Sequence, residues 1–301
     1  MVQLQRPSHV FMNGDLLPWE DATIHVSSEA LIRSASVFEG VKGYWDDSGD
    51  TFSLLALKEH YDRLTRSARL LHLPFETSFE AFTEACVRLV EQLLVPGRDL
   101  WLRPTIFAIE GHWGLDTVTD LVITGYTLPQ QRPGPIDVGV STWKRAGDRV
   151  QPPRIKTSAN YQVGRLARIE GRRRGYEDML LLNSADRVGE ATGSCVLIVR
   201  DGTVFTPPAS EGCLESITVD IIERLCLEEG VPFVRRPVEL TEMYLADEAF
   251  LAGTLAELVP VRSVEDEVLP TETPVLDRLA DAFWETARGA RKHLDIVLTE
   301  V

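Results

Sequence analysis

The run Pro152-Pro153-Arg154-Ile155-Lys156-Thr157-Ser158-Ala159-Asn160-Tyr161 decides how this chain reads. Lys156 follows two prolines and precedes a small polar stretch that could open onto a ligand at a helix start. Lysine is scarce: Lys42, Lys58, Lys144, Lys156 and Lys292 are the full set, and arginine supplies most of the positive charge. A Schiff base needs a primary amine, which arginine cannot provide. Lys58 falls on the outer face of a predicted helix, and Lys292 lies near the C-terminal end. Taken alone, Lys156 reads as a solvated surface residue; the segment around it supplies the second reading.

Outward from that run the chain divides. Upstream, Asn13-Gly14 between two short apolar runs predicts a hairpin over Val10–Leu17, and a second turn follows at Tyr44–Phe52. From Leu57 the spacing of Tyr61, Leu64, Ala68 and Leu71 predicts a helix that ends by Pro74, and Phe79–Leu94 reads as another. Asp99–Ile109 and Leu121–Leu128 have strand composition. Three prolines and a glycine within Pro129–Pro135 interrupt all periodicity. The expected division is an N-terminal α/β domain over 1–128, a linker at 129–137 and a C-terminal α/β domain over 138–301.

Downstream, Ile136–Trp143 reads as a strand and Tyr161–Arg174 as a helix whose apolar side is Leu166 and Ile169. Met179–Asn183, Val196–Arg200 and Val204–Thr206 read as strands, the last two joined by Asp201-Gly202. Ile217–Glu229 reads as a helix with Ile217, Ile221 and Leu225 aligned and Gly230 as its left-handed cap.

Composition closes off several classes of function. With 31 basic against 46 acidic side chains the formal net charge is −15, so a long polyanion meets net repulsion. The Arg172-Arg173-Arg174 cluster at a helix end fits a solvated face better than an RNA site. Four cysteines without a C-x-x-C exclude a disulfide framework or zinc ribbon and suit a reducing cytoplasm. No stretch of about eighteen apolar residues is present to span a bilayer, and the N-terminus lacks a signal-peptide pattern. No P-loop, G-x-G-x-x-G, H-E-x-x-H or G-x-S-x-G occurs, and no metal site is expected.

Lys156-Thr157-Ser158-Ala159-Asn160-Tyr161 resembles the lysine segment of class IV (fold-type IV) aminotransferases, most closely the branched-chain amino acid aminotransferases. The likeness extends to Ser36-Val37-Phe38-Glu39-Gly40, His60-Tyr61-Asp62-Arg63-Leu64, Ser141-Thr142-Trp143-Lys144-Arg145, Gly175-Tyr176-Glu177-Asp178, Val188-Gly189-Glu190 and Ala246 to Thr254, in the family's order. The resemblance implies a D-amino acid aminotransferase-like fold of two α/β domains with pyridoxal 5′-phosphate (PLP) between them, and a homodimer whose partner completes the pocket. It implies that Lys156 bonds to the cofactor and then serves as the base at the substrate carbon. Glu190 would face the pyridine nitrogen and keep it protonated. Arg63 would bind the phosphate, as would Ile217 and Thr218 at a helix start preceded by Ser216, with Thr254 as a further contact. Tyr161 would hydrogen-bond the ring oxygen and Leu214 would pack on the ring face. On the substrate side the likeness points to Phe38, Trp101, Arg103, Thr254 and Leu255.

The departures fall on phosphate and substrate. Where the branched-chain enzymes have Leu-Pro-Gly-Ile-Thr-Arg, this chain has Leu214-Glu215-Ser216-Ile217-Thr218-Val219, so the glycine that admits the phosphate is replaced by a small hydroxyl residue. The family's Gly-x-Gly-x-Asn is Ala191-Thr192-Gly193-Ser194-Cys195. Its Tyr-x-Arg is Trp101-Leu102-Arg103, and a further family tyrosine is replaced by Arg33. One hydroxyl donor is lost and one guanidinium gained. Arg33 and Arg103 together would form a carboxylate trap and shift preference among L-amino acids, D-amino acids and (R)-amines; the alternative places Arg33 in solvent or across the dimer interface. Two further readings stand beside a transaminase: a lyase of the same fold, similar to aminodeoxychorismate lyase, and a binding protein that has lost the chemistry.

Overall fold

The protein, described here from a computed structural model over residues 4–301, forms two compact units. The first takes the chain through Gln131 together with Ile155–Ala159 and Thr286–Val301; the second takes Arg132–Arg154 and Asn160–Glu285. Two departures from the sequence reading follow. Residues 155–159 belong with the first unit because Ile155 joins its apolar core, Thr157 bridges Val37, and Phe38 N–H donates to Lys156 C=O at 3.0 Å. The last residues also belong there, because the C-terminal strand Leu298–Glu300 pairs antiparallel with Ser53–Leu55. A division by position along the chain cannot register such returns.

In the first unit β1 (His9–Met12) and β2 (Asp15–Pro18) form the hairpin at Asn13-Gly14, both with positive φ as that turn requires. Next come α1 (Glu29–Arg33), β3 (Ser36–Phe38), β4 (Val41–Asp46) and β5 (Thr51–Leu55). Two helices follow, α2 (Leu57–Leu70) and α3 (Phe79–Leu93), then a long hairpin of β6 (Asp99–His112) and β7 (Leu115–Leu128). The eight strands make one antiparallel sheet in which β6 is central, pairing β3, β4 and β7. Leu64, Ala68, Phe82, Cys86, Leu89 and Val90 of the two helices bury against Val37, Val41, Leu100, Leu102 and Ile106. The apolar helical spacing and the alternate strand positions therefore meet in one core. The hairpin runs further than its composition announces. Beyond Ala108 two register shifts and the positive φ of Gly111 and Trp113 twist a half-exposed ribbon that carries no clean alternation.

The second unit contains β8 (Ile136–Lys144), α4 (Tyr161–Arg174), β9 (Asp178–Leu182), β10 (Val188–Ala191), β11 (Cys195–Arg200), β12 (Thr203–Thr206), α5 (Ile217–Glu228), β13 (Phe233–Arg235), α6 (Leu240–Tyr244), β14 (Glu248–Gly253), β15 (Glu257–Val264) and β16 (Glu267–Val268). Helix α7 (Pro274–Ala287) follows, its first turn capped by Glu248, which accepts from Val275 and Leu276 N–H. The nine-stranded sheet is mixed: β8 runs parallel to both β9 and β15, whereas β14, β11 and β12 pair antiparallel. Such a sheet reads as near-continuous apolar runs, as in Met179–Leu182 and Val196–Val199.

On α4 the buried side is Gly164, Ala167 and Gly171, while Leu166 is exposed, contrary to the apolar face expected from Leu166 and Ile169. Close approach is the reason. A Cβ at Gly164 would lie 2.5 Å from Thr192 O, and one at Gly171 would lie 2.7 Å from the Met179 side chain. Among the described residues no helix is long and apolar enough to cross a membrane.

Candidate active site

The first unit gathers its chemistry on the sheet face that points away from α2 and α3. The register sets Phe38 opposite Thr105, Lys42 opposite Trp101 and, by continuation, Gly40 opposite Arg103. Side chains alternate between faces, so Phe38, Gly40, Lys42, Trp101 and Arg103 share one face and Val37, Glu39 and Val41 share the other. Lys156 joins the first group: its ammonium lies 5.2 Å from the centre of the Phe38 ring. The Arg103 guanidinium lies over the same ring at 4.2 Å. Ser67 Oγ of α2 accepts from Lys156 N–H at 3.2 Å, and Ser36 Oγ donates to Ser158 Oγ at 2.9 Å, so the lysine segment is held on both sides.

On the opposite face Glu39 is fully buried and accepts from Arg63 Nε at 2.6 Å, Arg63 Nη2 at 2.8 Å and His60 Nδ1 at 2.7 Å. Burial acts to raise the Glu39 carboxyl, but the charge and hydrogen bonds of Arg63 and the bond from His60 outweigh it and hold it far below the usual carboxylate range. Burial pushes His60 below its ordinary value against the pull of Glu39, so the imidazole is neutral and donates through Nδ1. Two donors of Arg63, read from the sequence as a phosphate ligand, are thus committed to fixing Glu39.

Arg33, expected beside Arg103, has different partners. It stands on α1 with Nη1 donating to Glu29 at 2.8 Å and its guanidinium 4.6 Å from the centre of the Trp113 ring. Buried Glu29 also accepts from Trp113 N–H at 3.1 Å, which ties α1 to the β6–β7 turn.

In the second unit β10 presents Glu190, whose Oε2 accepts from Leu214 N–H at 2.9 Å and whose Oε1 lies 3.3 Å from Arg145 Nη2. Arg145, at the end of β8, is buried and donates also to Gly212 C=O at 3.0 Å and Asn160 C=O at 3.2 Å. The sequence reading gave it no role; a cation after the strand end at Trp143-Lys144 was the available signal. Asn160 precedes half-buried Tyr161, the first residue of α4, so one guanidinium joins the start of α4, the acid and the loop before α5.

Helix α5 begins at that loop. Ser216 is its N-cap, with Oγ accepting from Val219 N–H at 3.3 Å, which leaves the hydroxyl proton available to a further acceptor. The N–H groups of Ile217 and Thr218 have no acceptor within the helix, and both residues are buried. A buried helix start with orphan donors calls for an anion. Thr254 and Leu255 stand half-buried in the β14–β15 turn. That turn lies against the one before β11: a Cβ at Gly253 would be 3.3 Å from Ser194 Oγ. Cys195, next to Ser194, contacts Leu214 C=O at 3.8 Å, so both turns, Glu190 and the start of α5 form one neighbourhood. A fixed carboxylate and an anion-seeking helix start suit a protonated pyridine and a phosphate, and the primary amine held on the Phe38 ring suits an aldehyde. The residues present fit PLP.

These features suit an aminotransferase of class IV. The family model described as amino-transferase class IV matches residues 36–264, and the chain belongs to that family. It is 32% identical to the branched-chain-amino-acid aminotransferase of Salmonella typhimurium, over 95% of this chain and 94% of that protein. The crystal structure of the Escherichia coli branched-chain amino acid aminotransferase superposes with a TM-score of 0.90 at 31% identity, covering 96% and 98% of the two chains. That of Thermobaculum terrenum in its PLP form does so with a TM-score of 0.87 at 34% identity, covering 95% of each. The protein is a PLP-dependent aminotransferase with the fold-type IV architecture.

Proposed function

We propose that the enzyme moves the amino group of an aliphatic, branched-chain-type amino acid to a 2-oxo acid, with a substrate pocket altered at Trp101 and Arg33, and that it works as a cytoplasmic homodimer. The observation that carries the substrate class is the Phe38 ring, which seats both the Lys156 amine and the Arg103 guanidinium. A fixed cation one side chain away from the reacting amine suits a substrate whose amino carbon bears a carboxylate. PLP would supply there an aldehyde for the donor amine and an electron-accepting ring. Lys156 Nζ removes the proton at the substrate carbon and returns one. Glu190 holds a proton at the ring nitrogen, and Arg145 with Leu214 N–H keeps its carboxylate in place. Ile217 and Thr218 N–H, with the hydroxyls of Ser216, Thr218 and Thr254, would hold the phosphate, Tyr161 would donate to the ring oxygen and Leu214 would pack on the ring, while Arg63 fixes Glu39.

The dimer is supported by an apolar patch on the first unit, where Leu31, Ile32, Trp113 and Leu115 are more than half exposed around α1 and the β6–β7 turn. Arg33 lies in that patch and, on this reading, serves the substrate of the second copy. Four buried free cysteines suit a reducing compartment.

The test is a donor panel of both enantiomers of leucine, alanine and glutamate with 1-phenylethylamine, followed by cofactor absorbance, together with borohydride reduction and peptide mapping. Conversion of the cofactor to its aminated form by one leucine enantiomer, and attachment to the peptide containing Lys156, are expected. Attachment elsewhere, or a cofactor that releases keto acid without ever being aminated, overturns the reading, the latter in favour of a lyase.

A further inference from the structure

Lys156 is gripped by its backbone. Thr157 N–H donates to Ile155 C=O at 2.8 Å, which closes a three-residue turn with Lys156 at its middle. Both backbone polar groups of Lys156 are taken by the first unit: its C=O accepts from Phe38 N–H at 3.0 Å, and its N–H donates to Ser67 Oγ at 3.2 Å. Of these three bonds only the last depends on a side chain. The other two are main chain to main chain and need no particular residue type.

Ser67 is itself fixed. It is fully buried on α2, four residues after Arg63 and seven after His60, a spacing that sets all three along one side of the helix. His60 and Arg63 hold Glu39, the residue after Phe38, and Phe38 supplies both the N–H that takes the Lys156 carbonyl and the ring beneath its ammonium. One stripe of α2 therefore locates the end of β3 and the lysine turn together. The Lys156 amine ends a flexible four-carbon stem. While it is joined to the cofactor that bond locates it; once released to act as the base, it depends on the turn it springs from and on the Phe38 ring. A loosened turn then translates directly into a misplaced base.

We infer that Ser67 is a positioning residue for proton transfer: by holding the Lys156 N–H, its hydroxyl oxygen aims the released amine at the substrate carbon. This rests on the reading of Lys156 as the base and adds what aims it. The test uses PLP-loaded Ser67→Ala enzyme, with amination of the cofactor by the preferred amino acid followed by absorbance in a single turnover. The rate should fall roughly 10- to 100-fold, as a displacement of the reacting atom on the order of 1 Å does. The PLP dissociation constant and the amino acid concentration giving half the maximal rate should stay within about threefold of the parent, because the lost hold acts on the transfer and not on binding. Borohydride should still fix the cofactor to the peptide containing Lys156, and Ser67→Thr, which keeps the oxygen, should recover most of the rate. Ser78→Ala, which removes the N-cap of α3, controls for lost stability alone and should keep the parent rate. A Ser67→Ala rate within about threefold of the parent, a fall that Ser78→Ala shares, or PLP binding lost along with the rate overturns the inference and leaves Lys156 as the base. A cofactor fixed to another peptide removes the base and the inference together. Should Ser67→Ala not fold, exchange of the Lys156 amide proton in the parent enzyme decides: protection supports the hold, and exchange at the open-chain rate overturns it.

Discussion

The buried cluster beneath Phe38 offers the sharpest test of how the site is held. Glu39 has no exposed surface and receives three charge-assisted or neutral hydrogen bonds, from Arg63 twice and from His60 once. Glu39→Gln leaves Arg63 buried without its counter-ion, and Arg63→Met leaves the carboxylate in the same position. Removing one member of a buried ion pair costs about 3–5 kcal/mol, and each kcal/mol lowers Tm by roughly 2–4 °C in a unit of this size. A drop on the order of 10 °C is therefore expected for either single variant. The double variant should lose clearly less than the sum, with a coupling of about 2 kcal/mol or more. Acid provides the second arm. Glu39 has an ordinary value of 4.5 and lies far lower in the fold, so the unfolded chain takes up the proton first, and the contribution is full above about pH 4.5 and is lost as pH falls below it. His60, depressed from 6.5, also charges first in the unfolded chain, so a further contribution is lost on acidification below that value. Thermal and urea unfolding between pH 4 and pH 8 measure both. Single variants within about 1 kcal/mol of the parent, additive losses, or stability that rises on acidification would each refute the account.

Two other substitutions probe the second unit. Glu190→Gln retains an oxygen to accept from Leu214 N–H but cannot hold a proton at the ring nitrogen. It should lower kcat by ~10²–10³, the order of one preorganised polar group in a site, with KM changed little; unchanged single-turnover rates would exclude the role. Gly164→Ala forces a Cβ to within 2.5 Å of Thr192 O, a backbone atom, and should cost about 1–3 kcal/mol in urea unfolding. Parent-like stability would mean that α4 is free to move off its strand.

What could be read from the sequence was whatever is carried by one continuous run. The start of α5 was legible from Ser216 and the apolar spacing behind it, whereas Lys156 and Glu190 were singled out only by the likeness of their segments to the class IV family. The partners that fix these groups come from other elements and were silent. Arg145 reaches Glu190 from the end of β8, and Arg63, read from the sequence as a phosphate ligand, reaches from α2 to Glu39 just after β3. On α4, periodicity chose Leu166 because it weighs apolar area, whereas the packing rewards the small residues that let Thr192 and Met179 come close. Arg33 is the instructive intermediate case. It looked like a pocket arginine because a tyrosine was missing, yet Glu29 stands four residues before it, the spacing at which side chains on one helix meet. A charge whose partner is within one turn is already spoken for in one direction, so any part it takes with substrate must use the donors that Glu29 leaves.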